Sequence, residues 1–168
     1  AGSVLTLGSS VTVRGTFGAL GYAPCVGGAQ NVSVLNLGTL TLRPSVAGGR
    51  FHLGRIDNAG GTVRIDTTVA APVLNGTIVT GTLAILGVAS VNDLVLDGVT
   101  VNGDIEVGVS NPGQVLTVTN GLTLNGTLHV GHPVNQWSAN VEFAGSQTLS
   151  GNATVEFGNA SSGVSSCN

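Results

Sequence analysis

The stretch DGVTVNGDIEVG, Asp97 to Gly108, is written again 23 residues later as NGLTLNGTLHVG, Asn120 to Gly131. Gly98/Gly121, Asn102/Asn125, Gly103/Gly126 and Gly108/Gly131 hold their places in the two copies. A shorter word inside this pattern recurs along most of the chain, as Gly38-Thr-Leu-Thr-Leu, Gly61-Thr-Val-Arg-Ile, Gly81-Thr-Leu-Ala-Ile, Gly103-Asp-Ile-Glu-Val and Gly126-Thr-Leu-His-Val. Its spacings are 23, 20, 22 and 23 residues, and a degenerate copy, Ala153-Thr-Val-Glu-Phe, follows after 27. Self-similarity at this period marks a chain whose repeats bury their apolar side only by stacking on one another.

Within each word the apolar residues alternate (Leu40 and Leu42, Val63 and Ile65, Ile105 and Val107), which is the period of a strand. Asn-Gly, Asp-Gly and Gly-Gly pairs separate the alternating runs, and these residues tolerate the positive φ of tight corners. The leucine-rich pattern and its helical return segment are absent. The reading is an all-β, single-domain parallel β-helix of about six or seven coils, each of roughly 20–25 residues. The coils are expected over 31–158, after an N-terminal strand or cap segment, 1–30, and before a tail, 159–168. A β-sandwich is the alternative, because it too uses short strands at regular spacing.

Stacking makes register predictions. Leu124 is expected over Val101 and Val79, and Leu128 over Ile105 and Leu83. At the corners, Asn125 is expected over Asn102 and Asn120 over Asp97, with Asn75 in the same corner set, so that side-chain amides bond along the stack.

Composition agrees with this reading. Charged residues make up 8% of the chain against a typical ~25%, while 42% is hydrophobic, mostly Val, Leu and Ile. Gly reaches 27, and Lys and Met are absent. Such a chain is too apolar for disorder and too poor in helix formers for helices. No apolar run approaches the ~18–20 residues of a membrane span. The start lacks the charged region of a signal peptide, and Ala1 fits a cleaved or a trimmed chain alike. Two cysteines and five sequons, at Asn31, Asn75, Asn125, Asn152 and Asn159, lean towards an exported, glycosylated protein.

Residues able to carry chemistry are few. Asp93, Asp97 and Asp104 lie close in sequence near a corner, but Asp97 stands where the next repeat has Asn120, and Asp104 where it has Thr127. The repeat thus explains both without catalysis. His129 and His132 are three apart with Glu142 the closest carboxylate in sequence, a thin basis for a metal site. Calcium nonapeptides, a phosphate loop, a nucleophile elbow and Cys-x-x-Cys are all missing. Five Arg and no Lys exclude a basic nucleic-acid surface. Trp137, where the repeat breaks, is expected to pack near the last coil. No enzyme, cofactor or metal is expected.

The ends differ in charge. Residues 1–64 hold Arg14, Arg43, Arg50, Arg55 and Arg64 against Asp57, a balance of +4, and the remainder holds seven carboxylates, Glu142 and Glu156 among them, and no Arg. Opposite ends would attract. Cys25 and Cys167 fall at opposite ends of the sequence, so six or seven coils would hold them about 25–30 Å apart, far beyond the ~7 Å limit of a disulfide. Bonding to a neighbouring copy needs no detour. The run SVLTLGSSVTV near the start is expected to add as a strand to a neighbour's open edge.

The G-T-L-x-V and L-x-N-G-T words, over Asn31 to Phe157, resemble those of bacterial extracellular β-solenoids such as autotransporter passengers and filamentous-haemagglutinin-like adhesins. Those passengers are usually far longer and lack this pair of cysteines. The expectation is a secreted structural subunit, partnered by itself, stacking head to tail into an extracellular filament or sheath. A surface adhesin, an ice-binding solenoid and a carbohydrate-active β-helix are the alternatives. For ice binding, Thr39, Thr62, Thr82 and Thr127 share a slot in the word, with Asp104 expected to interrupt their column.

Overall fold

The structure is a computed structural model, and it describes residues 2–22, 30–46, 48–67 and 71–158. Cys25, Cys167 and Asn159 lie outside the described residues. Thirteen strands and no helix make up the described chain. They are β1 (Ser3–Leu7), β2 (Ser10–Gly15), β3 (Phe17–Leu20), β4 (Val32–Asn36), β5 (Thr39–Pro44), β6 (Arg50–Asp57), β7 (Thr62–Asp66), β8 (Val73–Val79), β9 (Thr82–Val107), β10 (Gln114–Val130), β11 (Ala139–Phe143), β12 (Leu149–Ser150) and β13 (Ala153–Phe157).

All strands belong to one sheet, in the order β1-β4-β6-β8-β9-β7-β5-β2, with β3 on β6 and β11, β12 and β13 on β10. Every pairing between two of these strands is parallel. A β-sandwich is built from antiparallel strands and would not give this pattern. Each segment pairs with one about a repeat later in sequence, so the chain forms successive tiers, and the sheet curls nearly closed around one apolar interior. The strands β1–β3, within 1–30, pair in the same way with β4–β6.

Alternation sends every second residue inward, and the parallel register lines these residues up. One inward file runs Leu5, Val34, Ile56, Ile78, Leu96, Val118, Phe143. Its five middle members are fully buried, whereas Leu5 and Phe143, in the end tiers, are exposed. A second file runs Val11, Leu40, Val63, Leu83 and a third Gly18, Phe51, Leu74, Val91. Neighbouring parallel strands are ~4.8 Å apart, so each apolar side chain rests on the one below.

The corners need small residues. At Gly76, φ is 117° and an added Cβ would overlap the carbonyl oxygen of Leu53 in the tier beneath. Asp93, Thr80 and Asn120 also turn corners at φ of 54° to 56°.

Two register expectations need correction. Leu124 pairs with Val101 and Leu128 with Ile105, but Val79 pairs with Asp97 rather than Val101. Leu83 does not lie under Ile105 either. The Thr100 amide bonds the Gly81 carbonyl, and Gly103 sits against Ile85, which places Leu83 beside Val101. The recurring word therefore occupies two different sides of the molecule. It lies on one side in β5, β7 and the start of β9, and on the next side at the ends of β9 and β10 and in β13. The physical reason is the length of one tier. Thr82 and Thr100 are 18 residues apart against 23 for Thr100 and Thr123, because β9 runs unbroken between the first two, whereas residues 108–113 separate β9 from β10.

Candidate assembly surface

The strands described at the two ends of the stack are paired on one side only. Among the described strands, β1, β2 and β3 pair only with β4, β5 and β6, and β11, β12 and β13 pair only with β10. Free strand edges of this kind are templates for another chain. The apolar interior is also uncovered there by any described residue. Inward Leu5 is exposed in the first tier, and Phe143, Leu149, Val155 and Phe157 in the last. A cavity of about 410 Å³ opens on the last tier between Leu128, Val141, Phe143, Leu149, Val155 and Phe157.

Tier order turns the charge asymmetry of the sequence into an axial one. Arg14 lies in the first tier and is exposed, as are Arg50 and Arg55. Arg43 is committed elsewhere: its Nε donates to Asp66 Oδ2 at 2.9 Å, and its Nη2 reaches the same oxygen. Asp66 is buried and the Arg43 side chain 40% exposed, so this pair joins two tiers within one copy. Glu142 and Glu156 belong to the last tier and are exposed, Glu156 lying 3.0 Å from His129 Nδ1.

The corner amides form separate ladders. Asn120 Nδ2 donates to Asp97 Oδ1 at 2.6 Å. Asn125 Nδ2 donates to Asn102 Oδ1 at 2.8 Å, and Asn125 Oδ1 accepts the Asn152 amide at 3.1 Å. Asn75 stands apart on another side, opposite His52, with its Nδ2 on the Asn92 carbonyl at 2.6 Å. The most enclosed ladder escaped the sequence reading. Asn36 and Asn58 are both fully buried, Asn36 Nδ2 donates to Asn58 Oδ1 at 2.6 Å, and Asn58 Nδ2 to the Thr82 carbonyl at 3.1 Å. A signal existed, since each Asn precedes the Gly of its word by two or three residues, at Gly38 and Gly61.

Register also reveals an unbroken file of hydroxyls. Ser10, Thr39, Thr62 and Thr82 pair in sequence, the Thr100 amide continues the file at Gly81, and Thr123 and Ser150 complete it. Thr123 Oγ1 and Ser150 Oγ are 3.1 Å apart. Asp104 does not interrupt this file. It lies beside Thr127 in a different one, with Oδ1 accepting the Thr127 amide at 2.7 Å. The neighbouring outward file is mixed, holding Thr12, Thr41, Arg64 and Ala84 and then the asparagines.

The residues weighed for chemistry are dispersed. Asp97 and Asp104 serve two different ladders, and Asp93 is an exposed corner. His132 Nδ1 accepts the amides of Val134 and Asn135, and its ring meets Trp137 edge-on at 5.1 Å, whereas His129 Nδ1 contacts Glu156. Among the described residues, no three His, Cys, Asp or Glu are grouped so as to hold a metal ion. No described helix is long and apolar enough to cross a membrane. Of the sequons, Asn31 and Asn152 are exposed, Asn75 is half-buried, and Asn125 is exposed with its amide engaged in the ladder.

Comparison of this chain with protein-family models, curated proteins and solved structures returns no match.

Proposed function

We propose that the chain is a parallel β-helix of seven tiers and that it serves as a secreted structural subunit, stacking head to tail into an extracellular filament or sheath. One observation carries this reading: among the described residues, the strands of both end tiers pair on one side only, around an apolar interior, with Arg14 at one end and Glu142 and Glu156 at the other. A second copy added end to end supplies the missing hydrogen bonds, covers the exposed Leu5, Phe143 and Phe157, and brings unlike charges together. A Cys25–Cys167 bond between neighbours belongs to the same proposal and fits an oxidising compartment. Glycans would sit at outward sequons, with Asn31 and Asn152 the most open among the described ones.

Sedimentation of the purified protein over a concentration series tests the reading, together with gels run with and without reductant after thiol blocking. The expected result is multimers that grow with concentration and a covalent ladder that collapses on reduction. A single 16.6 kDa species at every concentration would refute assembly.

The hydroxyl file from Ser10 to Ser150 favours a second reading, a binding face for an ordered surface such as ice or a glycan. Thermal hysteresis that is lost on Thr82→Val and Thr100→Val would support it. Arg64 and Ala84 break the neighbouring file, which weighs against a regular two-file lattice.

A further inference from the structure

We infer that the junction between copies is in register, with the inward apolar file and the hydroxyl file of one copy continuing directly into those of the next. This rests on the head-to-tail reading above and specifies the partner surface as the first tier of a second copy of this chain. The strands that meet are fixed by their place in the sheet. β11 ends the succession that β1 begins, through β4, β6, β8, β9 and β10, and β12 ends the succession that β2 begins, through β5, β7, β9 and β10. Placing the first tier of a second copy upon the last tier of the first therefore puts β1 beside β11 and β2 beside β12.

Within that placement the side chains agree. Leu5 of the incoming copy falls beside Phe143, two exposed apolar residues of one inward file. Ser10 falls beside Ser150, continuing the hydroxyl file at its own spacing. Counting on from Ser150 into β13 and from Ser10 along β2 brings Arg14 beside Thr154, one outward position from Glu156. The outward file that begins at Phe17 runs through Arg50, Val73, Ser90, Glu106 and His129 to Glu156, so Phe17 falls beside Glu156 and Gly18 beside Phe157. Slipping by one residue would turn Phe143 and Leu5 to opposite faces, so the apolar files themselves select the register.

The test is cross-linking of two single-cysteine proteins, each with Cys25→Ser and Cys167→Ser. One carries Ser10→Cys and the other Ser150→Cys. Adjacent parallel strands bring Cα atoms to ~4.8 Å, inside the ~4.4–6.8 Å range of a disulfide. Mild oxidation of the mixture is expected to give a covalent dimer at least tenfold more abundant than either protein gives alone. A mixture of Ser10→Cys with Glu142→Cys, on another side of the tier, is expected to give none. If sedimentation shows association but the Ser10/Ser150 pair does not link, or the Ser10/Glu142 pair links equally well, the register is wrong while head-to-tail stacking stands. If Ser10→Cys alone dimerises as readily, the ends meet head to head and both fall. If the proteins do not associate at all, the stacking reading fails with the register.

Discussion

At the scale of single residues, the fold depends on side chains that stand where two tiers approach closely. Asn36 and Asn58 satisfy one another and the carbonyl of Thr82 in a site without exposure. Removing the Asn36 amide leaves Asn58 Oδ1 buried without that donor, and such a group costs about 1–3 kcal/mol. Asn36→Ala is therefore expected to lower stability by about 2 kcal/mol in urea denaturation, against ~0.5 kcal/mol for Asn102→Ala, whose ladder faces water. Glycines divide in the same way. Gly60 has a φ of 74° with open space around it, so Gly60→Ala should cost about 1–2 kcal/mol from conformation alone. Gly76→Ala adds a direct overlap with Leu53 backbone and should cost about 3 kcal/mol or more, read as a lowered denaturation midpoint at unchanged slope.

Whole elements show what the sequence made legible. Alternation within each word located β5, β7 and the ends of β9 and β10, and the Asn-Gly pairs marked their corners. The pairing of Asn120 with Asp97 and of Asn125 with Asn102 followed from a constant spacing of 23 residues. Where the spacing changed, sequence similarity gave the wrong neighbour. Gly81-Thr-Leu-Ala-Ile and Gly103-Asp-Ile-Glu-Val look alike, yet the short tier through β9 moves the second word around to the next side. Words report which face of a strand is apolar, while the number of residues per tier decides which strands stack. The hydroxyl file was hidden for that reason, as its members Thr100 and Thr123 lie outside the word. The buried Asn36–Asn58 pair was hidden because Asn is common at exposed corners too. Between β5 and β7, the Arg43–Asp66 pair links two tiers through a buried carboxylate, and Arg43→Ala should cost about 1–3 kcal/mol by leaving that carboxylate with fewer donors.

Across the whole molecule, parallel pairing makes sequence position a coordinate along one axis. Five Arg against one Asp in residues 1–64 then lie in the first three tiers, and six of the seven remaining carboxylates beyond them, the seventh being the Asp66 that Arg43 holds. Replacing Arg14 with Glu puts like charge against Glu156 in the proposed junction and should weaken self-association by about tenfold or more, with a smaller salt dependence than the parent chain. The fold of each copy should be unaffected, since Arg14 is exposed.

Head-to-tail stacking is tested most directly by the axial repeat of the assembled material, measured by electron microscopy of concentrated protein at low salt. Seven tiers, from Ser10 to Ser150, at ~4.8 Å each give an axial repeat of ~34 Å per copy. Unbranched filaments with that repeat, and with a ~4.8 Å spacing along the filament rather than across it, are the predicted result. Discrete monomers, or filaments whose ~4.8 Å spacing runs across the axis, would contradict it.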